Sequence, residues 1–319
     1  MYYNVPSADS GPNQIIKLGN IRRNETFYLP NTTWAPGEKY VFAFDPARTN
    51  DNSILSIMRI YEDKDYGWCG DIINCINFID EATKKKLKLD SNRQLEMIRN
   101  TILKYNGTAP DYENIDTVLI DTGAGGGGLS TYSDALLNNW FDFYGKEHRG
   151  LIDACSSVYA EIAHRYPDAI DKLRGIDPKR ERTKMVQEFI ELMELGVLRF
   201  PHDYNGSDFI NILRSSKDDD HFEVHELTDD EKRALTQIDL MKNEIISIHK
   251  YTNAEKTSIT YALSPEKRNK MHDDRFYTAI LLAHRLYELR RGQVLNRPQS
   301  SAGLETFIQF KRPVIRTRR

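Results

Sequence analysis

Apolar residues follow two rhythms along this chain. Residues 39–45 (KYVFAFD) and 53–60 (SILSIMRI) are compact apolar runs on either side of a polar turn, and they predict a buried hairpin. Residues 68–78 offer a third strand. Residues 92–105 then place Leu95, Ile98, Ile102 and Tyr105 at helical spacing, which predicts an amphipathic helix crossing one sheet face. The short run 115–121 (IDTVLID) is reached after that helix, as a parallel strand would be.

Beyond it, 129–140, 160–166 and 182–195 read as helices, the last with Met185, Phe189, Leu192 and Met193 on one face before Gly196 stops it. A short strand is expected at 197–201. The stretch from 215 to 231 is acidic, and from there to about Tyr261 the pattern suggests a helix followed by a hairpin. Residues 273–291 (DDRFYTAILLAHRLYELRR) predict a long helix with Phe276, Ile280, Ala283 and Leu286 or Tyr287 facing the core. Residues 1–38 show no sustained period and read as an extended lead-in or linker. Strands alternating with helices over 39–292 predict one α/β domain, with 293–319 as a basic C-terminal tail.

Composition narrows the class. With 319 residues, 39% apolar and 29% charged, the chain can bury a sizeable core, and no run approaches the roughly 18 apolar residues of a membrane span. Cys69, Cys75 and Cys155 are odd in number and lack metal-ligand spacing, so buried thiols in a reducing compartment are expected rather than disulfides or structural zinc. The net charge is -3, but residues 285–319 carry nine Lys/Arg against two Glu. Arg285, Arg290, Arg291, Lys311 and Arg312 are therefore candidates for contact with DNA phosphates or a partner, and a solvated terminus accounts for the same charges equally well.

Three acidic motifs stand where a sheet-based site would need them. Asp45 and Asp121 each close an apolar strand, and His272-Asp273-Asp274 opens the long helix. A carboxylate at the end of an apolar strand is costly to ionise without compensation, so several converging from separate elements suggest a site for magnesium or manganese, which prefer oxygen ligands. Such a set supports phosphodiester hydrolysis by two ions. Taken singly, each Asp also reads as a turn former or helix cap.

Phe44-Asp45-Pro46-Ala47, Leu119-Ile120-Asp121-Thr122-Gly123 and His272-Asp273-Asp274, in this order, resemble the nuclease domain of the large terminase subunit of tailed double-stranded DNA phages. The segment Glu194-Leu195-Gly196-Val197-Leu198-Arg199-Phe200-Pro201 is similar to the family between its second and third acids. The resemblance covers about residues 38–292. It implies an RNase H-like fold, a mixed central β-sheet flanked by helices, that cuts concatemeric double-stranded viral DNA with two Mg2+ or Mn2+ ions during packaging in the host cytoplasm. It also implies an ATPase motor domain, a small terminase subunit and a procapsid portal as partners. By the same resemblance Asp45 and Asp121 match the first two metal ligands. The third falls on Asp273 or Asp274, with Asp273 favoured, and Asp51 matches an auxiliary acid.

The sequence contains no GxxxxGK[S/T] motif, so the motor belongs to another part of a longer protein or to another polypeptide. Two readings compete over the same residues. A junction resolvase or transposase-like nuclease would use similar acids, and a docking module for portal or small terminase would use the acidic segment and the basic tail. The glycine run 123–128 also admits a phosphate loop, although the second loop and adenosine motif of such proteins are missing.

Overall fold

The computed structural model describes residues 13–46, 53–80, 85–86, 90–122, 129–215, 220–252, 259–268 and 270–295. Its centre is a seven-stranded sheet. β1 (Glu25–Thr26), β2 (Lys39–Asp45), β3 (Ile54–Asp63), β4 (Gly67–Asn77), β5 (Ile115–Asp121), β6 (Leu173–Ile176) and β7 (Leu198–Pro201) lie in the order β1-β7-β4-β3-β2-β5-β6. Only β3 runs against the others. The five strands β4-β3-β2-β5-β6, with the second reversed, form the RNase H-like arrangement.

Strand alternation assigns the faces. Tyr40, Phe42 and Phe44 of β2 pack with Val118 and Ile120 of β5 beneath α2 (Ser91–Asn106) and α3 (Leu129–Leu137). Val41 and Ala43 point the other way with Leu119, into a core shared with α4 (Pro178–Leu195), α5 (Asp229–Ile245) and α6 (Asp274–Leu295). A sheet covered on both faces explains why its strands read as near-continuous apolar runs. Asp90 caps α2 by accepting from the Asn92 and Arg93 amides, and all four of that helix's expected core residues are buried. Phe276, Ile280, Ala283 and Leu286 of α6 are likewise buried, as are the four expected residues of α4.

Three features differ from the sequence reading. First, the described part of the lead-in belongs to the packed structure. α1 (Leu18–Arg23) buries Ile21, Asn24 Nδ2 donates to the Met193 carbonyl at 2.9 Å, and β1 pairs in parallel with β7. Buried Lys242 of α5 locks this edge by donating to Glu25 at 2.9 Å, Asp203 at 3.0 Å and the Pro201 carbonyl at 2.7 Å. Such an edge is held by long-range contacts, which leave no local period. Second, the acidic stretch begins inside a hairpin of β8 (Phe209–Ser215) and β9 (Asp220–Glu226), ahead of the expected helix α5 and the hairpin β10 (Ile248–Thr252) with β11 (Ile259–Leu263). Third, Cys69 and Cys75 are buried but Cys155 is exposed, on a turn. Among the described residues no helix is long and apolar enough to cross a membrane.

Candidate active site

The sheet brings the first two acids together. β2 and β5 are parallel neighbours in which Phe44 pairs with Ile120, so Asp45 and Asp121 follow side by side at the same edge, about 4.8 Å apart in strand spacing. Both continue the face of Val41, Ala43 and Leu119, so both side chains turn toward the side covered by α4 and α6. Each is half-buried. The third acid comes from across that face: Asp273 immediately precedes α6, and its carboxylate accepts from Arg182 Nη2 of α4 at 3.0 Å.

Tyr277, one helical turn beyond Asp273, reports the convergence. The Arg182 guanidinium lies 4.4 Å from the centre of its ring, and Arg182 Nη1 donates to its hydroxyl. Burial pushes the Tyr277 phenol up to about 12, Arg182 opposes the rise, and the charges of Asp273, Asp45 and Asp121 add to it.

Asp274 has different surroundings. It is 6% exposed and bears on Glu244 of α5. Glu244 anchors the start of α6 by accepting from the Arg275 amide at 2.8 Å, the Phe276 amide at 3.0 Å and Arg275 Nη1 at 2.7 Å. Burial raises its carboxyl to about 7 against the pull of Arg275, and the Asp274 charge adds to the rise. His272 is exposed. Asp51, Lys311, Arg312 and the glycine run 123–128 lie outside the described residues.

The remaining basic candidates are occupied within the fold or exposed. Arg285 Nε donates to Asp116 at 2.7 Å and Arg285 Nη1 to Glu288 at 3.2 Å, whereas Arg290 Nη1 donates to the Tyr66 and Trp68 carbonyls at 2.7 and 2.6 Å. Arg291 is exposed. Four neighbours of the site were not singled out from the sequence: Arg182, Asp177, Glu244 and Tyr277. Asp177 follows Ile176, the partner of Asp121 in β6, and its side chain accepts from the Arg180 amide at 3.3 Å to cap α4. Only Tyr277 carried a local signal, its four-residue spacing from Asp273.

The donor set suits a hard divalent cation in kind, being carboxylates, of which Asp273 is paired with the Arg182 guanidinium. Among the described residues, however, no three His, Cys, Asp or Glu side chains are drawn close enough to hold an ion. Asp45 and Asp121 form the pair, and Asp273 stands across from them on Arg182.

Fold and site together define an RNase H-like α/β domain with an acidic edge on its first and fourth core strands. No protein-family model and no curated protein matches the chain. Among solved structures it is similar to the large terminase nuclease from thermophilic phage G20c with bound magnesium, at 12% identity and a TM-score of 0.43 over 86% of this chain and 98% of that one. It is also similar to the large terminase nuclease domain of Thermus phage P74-26, at 11% identity and a TM-score of 0.41 over 84% and 93% of the two chains. With the large terminase of another thermophilic bacteriophage, in complex with ADP, it shares 11% identity and a TM-score of 0.38, over 79% of this chain and 41% of that one. The chain therefore resembles phage large terminase nuclease domains, while the assignment of the fold rests on the strand order and register themselves.

Proposed function

We propose that this chain is an endonuclease of double-stranded DNA, the nuclease portion of a tailed-phage packaging terminase acting in the host cytoplasm. The observation that carries the reading is the placement of Asp45 and Asp121 at the ends of two adjacent parallel strands, on the sheet face covered by α4 and α6, with Asp273 at the start of α6. A turn former has no reason to stand beside a second carboxylate on the same face of a sheet edge. Asp45 and Asp121 are held by the β2–β5 ladder, and Asp273 by the Glu244 anchor at the start of α6, so their spacing is set by rigid elements.

In this reading Asp45, Asp121 and Asp273 hold magnesium or manganese, two ions to a site, with Asp274 and Asp51 as further candidates. The bound ions would supply an activated water and neutralise charge on the scissile phosphate and its leaving oxygen. The chain itself aligns the carboxylates, and no side-chain nucleophile is needed. With no phosphate-loop motif in the sequence, ATP-driven translocation falls to a motor domain, and the small terminase subunit and procapsid portal complete the proposed partners.

The test is cleavage of supercoiled plasmid by the full chain in magnesium, manganese, calcium and EDTA. The wild type is expected to nick and linearise DNA in magnesium or manganese only, and a folded Asp121→Asn variant to do neither. Undiminished cutting by that variant would remove the acidic edge from the chemistry.

A further inference from the structure

A cleft of about 360 Å3 opens on the sheet face opposite the acidic edge. Strand pairing sets Arg59 of β3, Asp71 of β4 and Arg199 of β7 side by side there, on the face of Tyr40. Arg59 stands five residues along β3 from Ile54, the partner of Asp45, a separation on the order of 17 Å. The carboxylates of the cleft are already satisfied. Glu38 accepts from Arg59 Nη1 at 2.7 Å, the Tyr40 hydroxyl at 2.7 Å and Asn31 Nδ2 at 2.8 Å. Asp71 accepts from Arg59 Nη2 at 2.6 Å, Arg199 Nε at 3.0 Å and the Tyr61 hydroxyl at 3.3 Å. Arg59 thereby uses both of its Nη groups. Arg199 does not: its side chain is 29% exposed, and its Nη1 and Nη2 are open to solvent with no acceptor among the described residues. The bond from Nε to Asp71 and the Tyr61 ring, centred 5.2 Å from the guanidinium, hold it in place with that end open. Phe27, Tyr28, Tyr61 and Leu213 wall the cleft, and the Leu213 amide ties the β8–β9 hairpin to this wall by donating to the Phe27 carbonyl at 2.7 Å.

We propose that this cleft binds a monocarboxylate carried on an aromatic or aliphatic body, with the carboxylate on Nη1 and Nη2 of Arg199 and the body against Phe27, Tyr61 and Leu213. The end of a guanidinium matches a carboxylate through two parallel hydrogen bonds. An apolar lining with a few placed donors is the make-up of a small-ligand site, and such sites begin at roughly 300 Å3. Charge selects the class of ligand. Arg59 and Arg199 balance Asp71 and Glu38, so one added negative charge meets the open guanidinium end, whereas the second charge of a phosphate monoester would stand beside two carboxylates. The cleft lies away from the acidic edge, and its role is independent of the nuclease reading.

The experiment titrates the full chain with phenylacetate, phenylacetamide, acetate and phenyl phosphate, read by ligand-observed NMR. It is run at about pH 8, where Asp71 is ionised and a phosphate monoester carries nearly two charges. The wild type is expected to bind phenylacetate saturably, with a Kd on the order of 1 mM. Phenylacetamide, which lacks the charge, should bind about tenfold more weakly, and acetate, which lacks the ring, and phenyl phosphate should also bind more weakly. R199M should lose about tenfold for phenylacetate and nothing for phenylacetamide, and R199K should recover only part of that loss. Leu213 is 43% exposed, so L213A tests the wall without disturbing the core, and it should weaken phenylacetate while leaving acetate unchanged. D121N should bind phenylacetate as the wild type does. Absence of saturable phenylacetate binding, equal affinity for phenylacetate and phenylacetamide, or unchanged phenylacetate binding in folded R199M overturns the inference. The acid and amide comparison needs no variant, so it decides even if R199M fails to fold. Tighter binding of phenyl phosphate than of phenylacetate overturns the monocarboxylate class, and loss of phenylacetate binding in D121N would place the acid at the other face and overturn this site.

Discussion

Asp71 of β4, 3% exposed, lies between two guanidinia, with Arg59 Nη2 donating to it at 2.6 Å and Arg199 Nε at 3.0 Å. Burial nevertheless pushes its carboxyl from 3.8 up to about 6, with Arg59 only partly offsetting the rise. A carboxyl that holds its proton more tightly when folded contributes stability that is complete below its unfolded pKa of 3.8 and is lost as pH rises through about 6. Relative to Asp71→Asn, the wild type should therefore lose stability between about pH 4 and about pH 7, on the order of 3 kcal/mol. Urea unfolding of both proteins across that range checks it, and a pH-independent difference would contradict the burial argument. At this scale the sequence was informative where chemistry and element boundary coincide. Asp45, Asp121 and Asp273 each stand at an abrupt change from apolar strand or toward amphipathic helix. Arg182 had no such mark, because it is one arginine within Lys179-Arg180-Glu181-Arg182 and only the packing of α4 against α6 turns it inward. Cys155 was misjudged because the count and spacing of cysteines say nothing of which one sits on a turn: Leu151 and Ile152 just before it are buried, whereas Cys155 itself is exposed.

α6 is the element on which the site depends. Its N-terminal amides are held by Glu244, the Thr278 and Ser56 hydroxyls meet at 2.6 Å, and His284 Nδ1 lies 2.6 Å from Glu188 of α4. These contacts fix the helix across the sheet face and with it the position of Asp273. Glu244→Ala would leave Arg275 buried without its counter-charge, and breaking such a pair costs about 3–5 kcal/mol. Unfolding should shift by that order, and plasmid cutting should fall with it as Asp273 loses its fixed place. An unchanged unfolding midpoint would show that α6 is held by its apolar face alone. The helix was legible because Phe276, Ile280, Ala283 and Leu286 repeat at helical spacing over a long span. The hairpin of β8 and β9 was not, since Phe209, Leu213, Phe222 and Val224 remain exposed and the acidic residues around them mask the alternation.

For the molecule as a whole, chain order and sheet order differ in a way that makes a site. The meander of β2, β3 and β4 is laid down first, and the crossover through α2 then places β5 beside β2 rather than beside β4, so that Asp121 arrives next to Asp45. The return of α6 across the opposite face brings Asp273 to the same edge. Parallel pairing after a helix could be anticipated from the sequence, whereas the choice of β2 as partner depended on the sheet as a whole. The edge formed by β1 and β7 was illegible for the same reason, because two residues of strand and one buried lysine gain meaning only from elements far away in the chain. If the three acids make one metal centre, manganese titration of the wild type and of D45N, D121N and D273N, each shown to be folded, tests it most directly. Specific binding by the wild type, weakened at least about tenfold in every variant, is the predicted result. Manganese binding unchanged across all three variants would contradict a shared centre at this edge.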